Sequence, residues 1–144
     1  MNIRIAKLKD SKEILTLLMN APELQESEKG DTIYSEKLII ECIKDKKMNL
    51  ILVAEEDNKL IGVLLAEIWD KKKYSFGINF VVSPKYRSKG VGTKLYQMYE
   101  NYCKKQNLKT ILCLVQTKNK NMQQICKKKG YKKGHAFYLY EKEI

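Results

Sequence analysis

The sequence predicts a mixed α/β fold in one domain spanning residues 1–144. Short β-branched runs alternate with a two-residue period, while other stretches repeat apolar residues at helical spacing. Only two prolines and seven glycines interrupt the chain, too few for disorder or low complexity. A chain of this length buries roughly 70% of its unfolded surface, enough for a core without disulfides or metal.

Residues 2–8 alternate as a strand. Asp10 reads as the cap of a first helix, with Glu13 completing a capping box and Ile14, Leu15, Leu17 and Leu18 forming the apolar face. Residues 21–31 make a polar loop carrying Glu23, Glu26, Glu28 and Asp31. A second helix runs to about Lys46 with Leu38, Ile39, Cys42 and Ile43 inward. Two apolar strands, 49–55 and 60–68, flank a hairpin turn at Asp57-Asn58-Lys59. A further strand, 74–82, stops at Ser83-Pro84, and a glycine-punctuated turn opens a helix from about Val91 to Gln106. Residues 109–115 read as a short strand, 118–129 as a basic helix stopped by Gly130, and 136–142 as a final strand.

Several function classes are excluded. No run of about 18 apolar residues is present, so no membrane span is expected. The opening residues lack the basic-then-apolar order of a signal peptide, and the cytoplasm is the expected compartment. Cys42, Cys103, Cys113 and Cys126 form no C-x-x-C pair, and the single histidine, His135, is near none of them in sequence. No metal site is expected; the cysteines read as reduced, mostly buried thiols.

Charge is sorted along the chain. Residues 1–72 hold twelve basic and fourteen acidic side chains, whereas residues 73–144 hold sixteen basic and three acidic ones. The second half therefore carries a net charge of +13, the mark of a phosphorylated partner, either nucleic acid or a small polyphosphate ligand.

The chemistry concentrates in residues 80–95, FVVSPKYRSKGVGTKL. Gly90 and Gly92 let the backbone turn tightly into a helix whose first amides stay uncovered. Those N–H groups, with the positive end of the helix dipole, form an anion cradle ringed by Arg87, Lys89 and Lys94. Neither G-x-x-x-x-G-K-[ST] nor G-x-G-x-x-G is present.

Arg87-Ser88-Lys89-Gly90-Val91-Gly92 resembles the R/Q-x-x-G-x-G/A signature of the GCN5-related N-acetyltransferases. Val82-Ser83-Pro84-Lys85-Tyr86-Arg87 is similar to the V-x-P-x-Y-R lead-in of that family, and Asn119 ahead of Gly130-Tyr131 to its N-x(10)-G-F/Y ending. The resemblance implies a mostly antiparallel sheet of about six to seven strands with about four helices and splayed central strands. It implies acceptor-side elements over about 1–72 and an acetyl-CoA-binding core over about 73–130. Backbone amides from Arg87 through Ser88, Lys89, Gly90, Val91, Gly92 and Thr93 would hold the pyrophosphate, and Phe80, Val81 and Val82 would pair with the pantetheine arm, joined by Asn119.

The implied reaction is direct attack of a primary amine on the thioester of acetyl-CoA, with no metal. An N–H near Val82 would polarise the carbonyl. Relatives often place a carboxylate where this chain has Ile78 and Asn79, so Glu67 on the neighbouring strand stands in as base, acting through water. A tyrosine acid is common where this chain has Cys126, which becomes the candidate proton donor; Tyr131 and Tyr138 are nearby alternatives. The acidic loop points to a cationic small-molecule or peptide acceptor. Family members commonly dimerise. The competing reading is a catalytically silent CoA-binding protein or a basic nucleic-acid module, the latter opposed by the absence of any nucleic-acid-reading motif.

Overall fold

A computed structural model describes residues 1–21, 34–138, 140, 142 and 144. They fall into two compact units, 1–113 and 114–144. The loop acids Glu23, Glu26, Glu28 and Asp31 lie outside the described residues.

The first unit is a five-stranded sheet in sequence order: β1 (Asn2–Ile5), β2 (Asn49–Glu56), β3 (Lys59–Trp69), β4 (Tyr74–Val82) and β5 (Thr110–Cys113). The first four strands pair antiparallel, and β5 joins β4 in parallel. Asp57 and Asn58 both take positive φ, 50° and 59°, as a two-residue hairpin twisting with its strands requires. Helices α1 (Ser11–Met19) and α2 (Glu36–Lys44) pack on one face. There Ile14, Leu18 and Ile39 meet Ile51, Val53, Val63, Leu65 and Val81, all at most 4% exposed. Helix α3 (Val91–Lys105) covers the other face, where Leu95 and Tyr99 are 0% and 1% exposed. A Cβ on Gly62 would meet Leu95 Cδ1 of α3 and Val81 O, each at 3.1 Å, so this glycine lets helix and sheet approach closely.

Three expectations are corrected. The sheet among the described residues has five strands, not six to seven. The described part of 136–142 lies in no strand; Phe137, Tyr138 and Tyr140 are 78–89% exposed, an alternating pattern that joins no ladder among the described residues. Asp10 precedes α1 yet makes no side-chain cap to it. Its carboxylate turns back instead, accepting from the Lys7 amide at 2.6 Å and from Arg4 Nη1 and Nη2 at 2.7 and 3.0 Å. An arginine fork outcompetes a single amide for a carboxylate. Glu13 likewise serves the hairpin, accepting from the Leu60 amide at 2.9 Å.

In the second unit, Asn119 caps α4 (Lys120–Lys128) by accepting from the Met122 amide at 3.0 Å. Gly130 ends that helix at φ 81°, with its N–H bonded to Lys127 O and the Tyr131 N–H to Cys126 O. That pairing is a Schellman stop, which needs the left-handed residue that glycine supplies.

Candidate active site

Strand β4 changes character halfway along. Its parallel ladder with β5 runs from Tyr74↔Thr110 to Gly77↔Cys113 and ends there. On the other side Leu65 faces Asn79 and Ala66 faces Gly77, leaving Ile78 as an extra, bulged residue. The bulge bends β4 where its partner stops, so Phe80–Val82 form a strand edge without a β5 partner.

Backbone alternation shows what that edge presents. The Ser83 N–H donates to Ile61 O of β3 at 2.9 Å, so Val81 also turns its N–H toward β3, whereas Phe80 and Val82 turn theirs away. Arg87 Nε confirms the direction by donating to Val82 O at 3.0 Å. The Val82 N–H and both backbone groups of Phe80 therefore face the edge. Val81 instead offers a side chain that is 3% exposed, buried against α1 and α2.

The edge leads into the start of α3. Pro84–Tyr86 make a 3-10 turn, Ser88 takes φ 62° and Gly90 takes φ 79° as the residue before the helix. The first backbone bond into α3 is the Lys94 N–H to Gly90 O at 3.1 Å, so the amides of Val91, Gly92 and Thr93 have no intrahelical acceptor. Arg87, Ser88, Lys89 and Gly90 are exposed around them, with the Lys89 ammonium 5.3 Å from the Tyr86 ring centroid. Val91 contributes its amide only, because its side chain is 2% exposed. Gly92 lies inside the helix, where a Cβ would stand 2.9 Å from Phe80 Cζ: it seats the helix against β4, whereas Gly90 makes the turn.

On the α1–α2 face, opposite residues of paired strands share a side. Asn79 is opposite Leu65 and Phe76 opposite Glu67, and the bulged Ile78 between them keeps both on that face. Asn79 Nδ2 donates to Tyr34 Oη. Glu67 Oε2 accepts from Trp69 Nε1 at 3.0 Å. With burial first, then Glu41 and Asp45, the Glu67 carboxylate helps push the Cys42 thiol up.

A buried network ties these parts together. Ser75 Oγ gives its one hydrogen to Glu67 O at 2.8 Å, so the Tyr99 hydroxyl donates to Ser75 Oγ across 2.6 Å. Burial pushes the Tyr99 phenol well above its usual range and the neighbouring Cys103 thiol up to about 11. The Tyr99 ring meets Tyr96 edge-on, and Tyr96 meets Phe80 in the same way.

An open strand edge thus leads into a helix start whose first three amides have no intrahelical acceptor. The family model for the acetyltransferase (GNAT) family matches residues 12–131. The chain belongs to that family. The GNAT domain makes it an acyltransferase, of a family whose enzymes use acetyl-CoA.

Solved GNAT structures share the fold. A possible acetyltransferase from Clostridium difficile 630 is 21% identical with a TM-score of 0.77, over 99% of this chain and 98% of that one. An aminoglycoside 6'-N-acetyltransferase from Acinetobacter haemolyticus is 21% identical with a TM-score of 0.75, over 100% and 99%. The PaiA N-acetyltransferase from Thermoplasma acidophilum, in complex with coenzyme A, is 22% identical with a TM-score of 0.72, over 92% and 91%. No curated protein matches in sequence.

The first unit brings Phe80, Val82 and residues 87–93 together, while Glu67 lies one strand over. Asn119 and Cys126 belong to the second unit, where Asn119 Oδ1 is engaged by its own helix and the half-buried Cys126 shares its carbonyl with the Schellman stop. Sequence reasoning missed the Ser75–Tyr99 network and the Trp69 contact of Glu67. Serine and tyrosine in apolar patterns signal nothing alone, but Glu67-x-Trp69 places both on one strand face and was the available clue. No group of three potential metal ligands occurs among the described residues. No helix of the described residues is long and apolar enough to cross a membrane.

Proposed function

We propose that this GNAT enzyme is an N-acetyltransferase that moves the acetyl group of acetyl-CoA to a primary amine within one ternary complex, in the cytoplasm. One observation supports the reading: the amides of Val91, Gly92 and Thr93, without intrahelical acceptors, lie beside the Phe80–Val82 edge of β4, which has no strand partner on that side among the described residues. The residues fit a pyrophosphate followed by an extended amide-bearing arm. The cosubstrate supplies an acyl carbon activated as a thioester.

The chain supplies positioning and charge. The amides of residues 91–93, with Arg87, Ser88 and Lys89, hold the phosphates. Phe80 and Val82 pair with the arm as a strand would, and the family resemblance assigns Asn119 to the same arm. An N–H on the β4 edge meets the carbonyl oxygen as it gains charge, and holding both reactants in line supplies much of the rate. The acceptor ammonium gives a proton to water so that the neutral amine attacks the thioester carbonyl, and Cys126, at the family's usual tyrosine position, returns a proton to the departing thiolate; Glu67, held by Trp69 Nε1, serves the charge of the acceptor. The acceptor is a cationic small molecule or peptide, favoured by Glu67 and the acidic residues 23–31.

The first experiment is calorimetric titration with acetyl-CoA at about 0.15 M salt, followed by thiol release on adding amines. The expected result is one-to-one saturable binding and amine-dependent release. Binding without release from any amine would favour the silent reading, for which the neutral Ile78 and Asn79 at the bulge speak. Absence of binding would overturn the proposal.

A further inference from the structure

The α1–α2 face of the sheet continues past its hydrophobic core into a cluster built for a positive charge. Glu67 and Trp69 lie two residues apart on β3 and share a face, and their strand partners Phe76 and Tyr74 lie beside them. The Trp69 and Tyr74 rings stack with centroids 5.7 Å apart at 18°. Trp69 remains 38% exposed, an unusual position for the single tryptophan of the chain. Glu67 Oε2 is held by Trp69 Nε1 at 3.0 Å, which orients the carboxylate against the ring; Oε1 takes no hydrogen bond among the described residues. A cation already uses the ring: Lys72 Nζ stands 5.7 Å from the Trp69 centroid. Aromatic faces with an oriented carboxylate attract ammonium groups by quadrupole and charge together.

We propose that Glu67, Trp69, Tyr74 and Phe76 form a subsite for a second ammonium group on the acceptor, remote from the amine that is acetylated. The assignment rests on the acetyl-transfer reading above. At about 3.3 Å per strand residue, Tyr74 lies about 13 Å from the bulge at Ile78, beyond which the open edge begins. Phe76 lies between, on the same face, and offers an apolar track for a methylene chain. A diamine of matching span therefore places one ammonium on Trp69 and Glu67 while its other amine reaches the β4 edge. A short monoamine reaches only one of the two positions. Lys72 holds the ring in the absence of acceptor and competes with it.

The lone tryptophan makes the test direct. Titrating the acetyl-CoA-bound protein with octamethylenediamine should change Trp69 emission saturably, at a concentration well below any that butylamine requires. Lys72→Met should tighten the diamine titration, and Glu67→Gln should weaken it about tenfold. In acetylation kinetics, Trp69→Leu should raise the KM for the diamine about tenfold with little change in kcat, and leave both constants for butylamine unchanged. A diamine that is acetylated without altering Trp69 emission overturns the subsite, as does equal loss for diamine and monoamine in Trp69→Leu. A saturable emission change with no acetylation of any amine overturns the transferase reading and leaves the subsite standing. No saturable change and no acetylation overturns both.

Discussion

Single residues hold this fold through a few charged and polar contacts whose partners are far apart in sequence. Arg4 on β1 grips Asp10 with two nitrogens and Glu55 of β2 with a third at 2.8 Å. Burial alone would raise the Asp10 carboxyl, but the Arg4 guanidinium and the Lys7 amide outweigh it and hold the group below the usual carboxylate range. Asp10 stabilisation is thus present above its unfolded pKa of about 4 and lost as pH falls through the lower native value. Asp10→Asn should cost about 2 kcal/mol in urea melts at pH 7. That penalty should shrink as the pH is lowered, because the wild-type carboxylate is then being protonated. Tyr99→Phe removes the donor to Ser75 while Ser75 still serves Glu67 O, so a loss of about 1 kcal/mol is expected in the same assay. The sequence made Asp10 legible as a polar helix-start residue but not its real partner. A capping box is read from neighbours, whereas the arginine that wins the carboxylate arrives from another strand.

At the scale of elements, β4 and α3 were readable to within a residue, because β-branched alternation, Ser83-Pro84 and two glycines punctuate them strongly. The difference between those glycines was not readable, since spacing says nothing of what a missing Cβ would touch. Gly90 has open space and φ 79°, so Gly90→Ala should cost about 1–2 kcal/mol through backbone strain and weaken acetyl-CoA binding by shifting the first amides of α3. Gly92→Ala meets the Phe80 ring instead, and its effect should be relieved by Phe80→Leu in a double-mutant cycle. Additive losses in that cycle would show that the ring is not the obstacle. The bulge at Ile78 was equally hidden: an extra residue in a ladder shows only once its partner strand is in register. The terminal stretch 136–142 shows the converse, a period-two pattern that satisfies the composition of a strand without a neighbour among the described residues.

For the whole molecule, the charge division between halves was visible from the sequence, and the uncapped start of α3 falls in the positive half. What the composition could not reveal is the cluster of Glu67, Trp69, Tyr74 and Phe76 assembled across a hairpin, the proposed ammonium subsite. The abrupt end of the β4–β5 ladder at Gly77 has a consequence for handling the protein as well as for its reaction. The Val82 N–H and both backbone groups of Phe80, which the proposed function assigns to an extended ligand, can also pair with another extended chain, including a second copy of this one. Ligand-free protein at high concentration should scatter more light than the same protein with CoA, and added salt alone should not reproduce the protection. The acyl carrier would then guard solubility, acting as the missing strand of the sheet it enters.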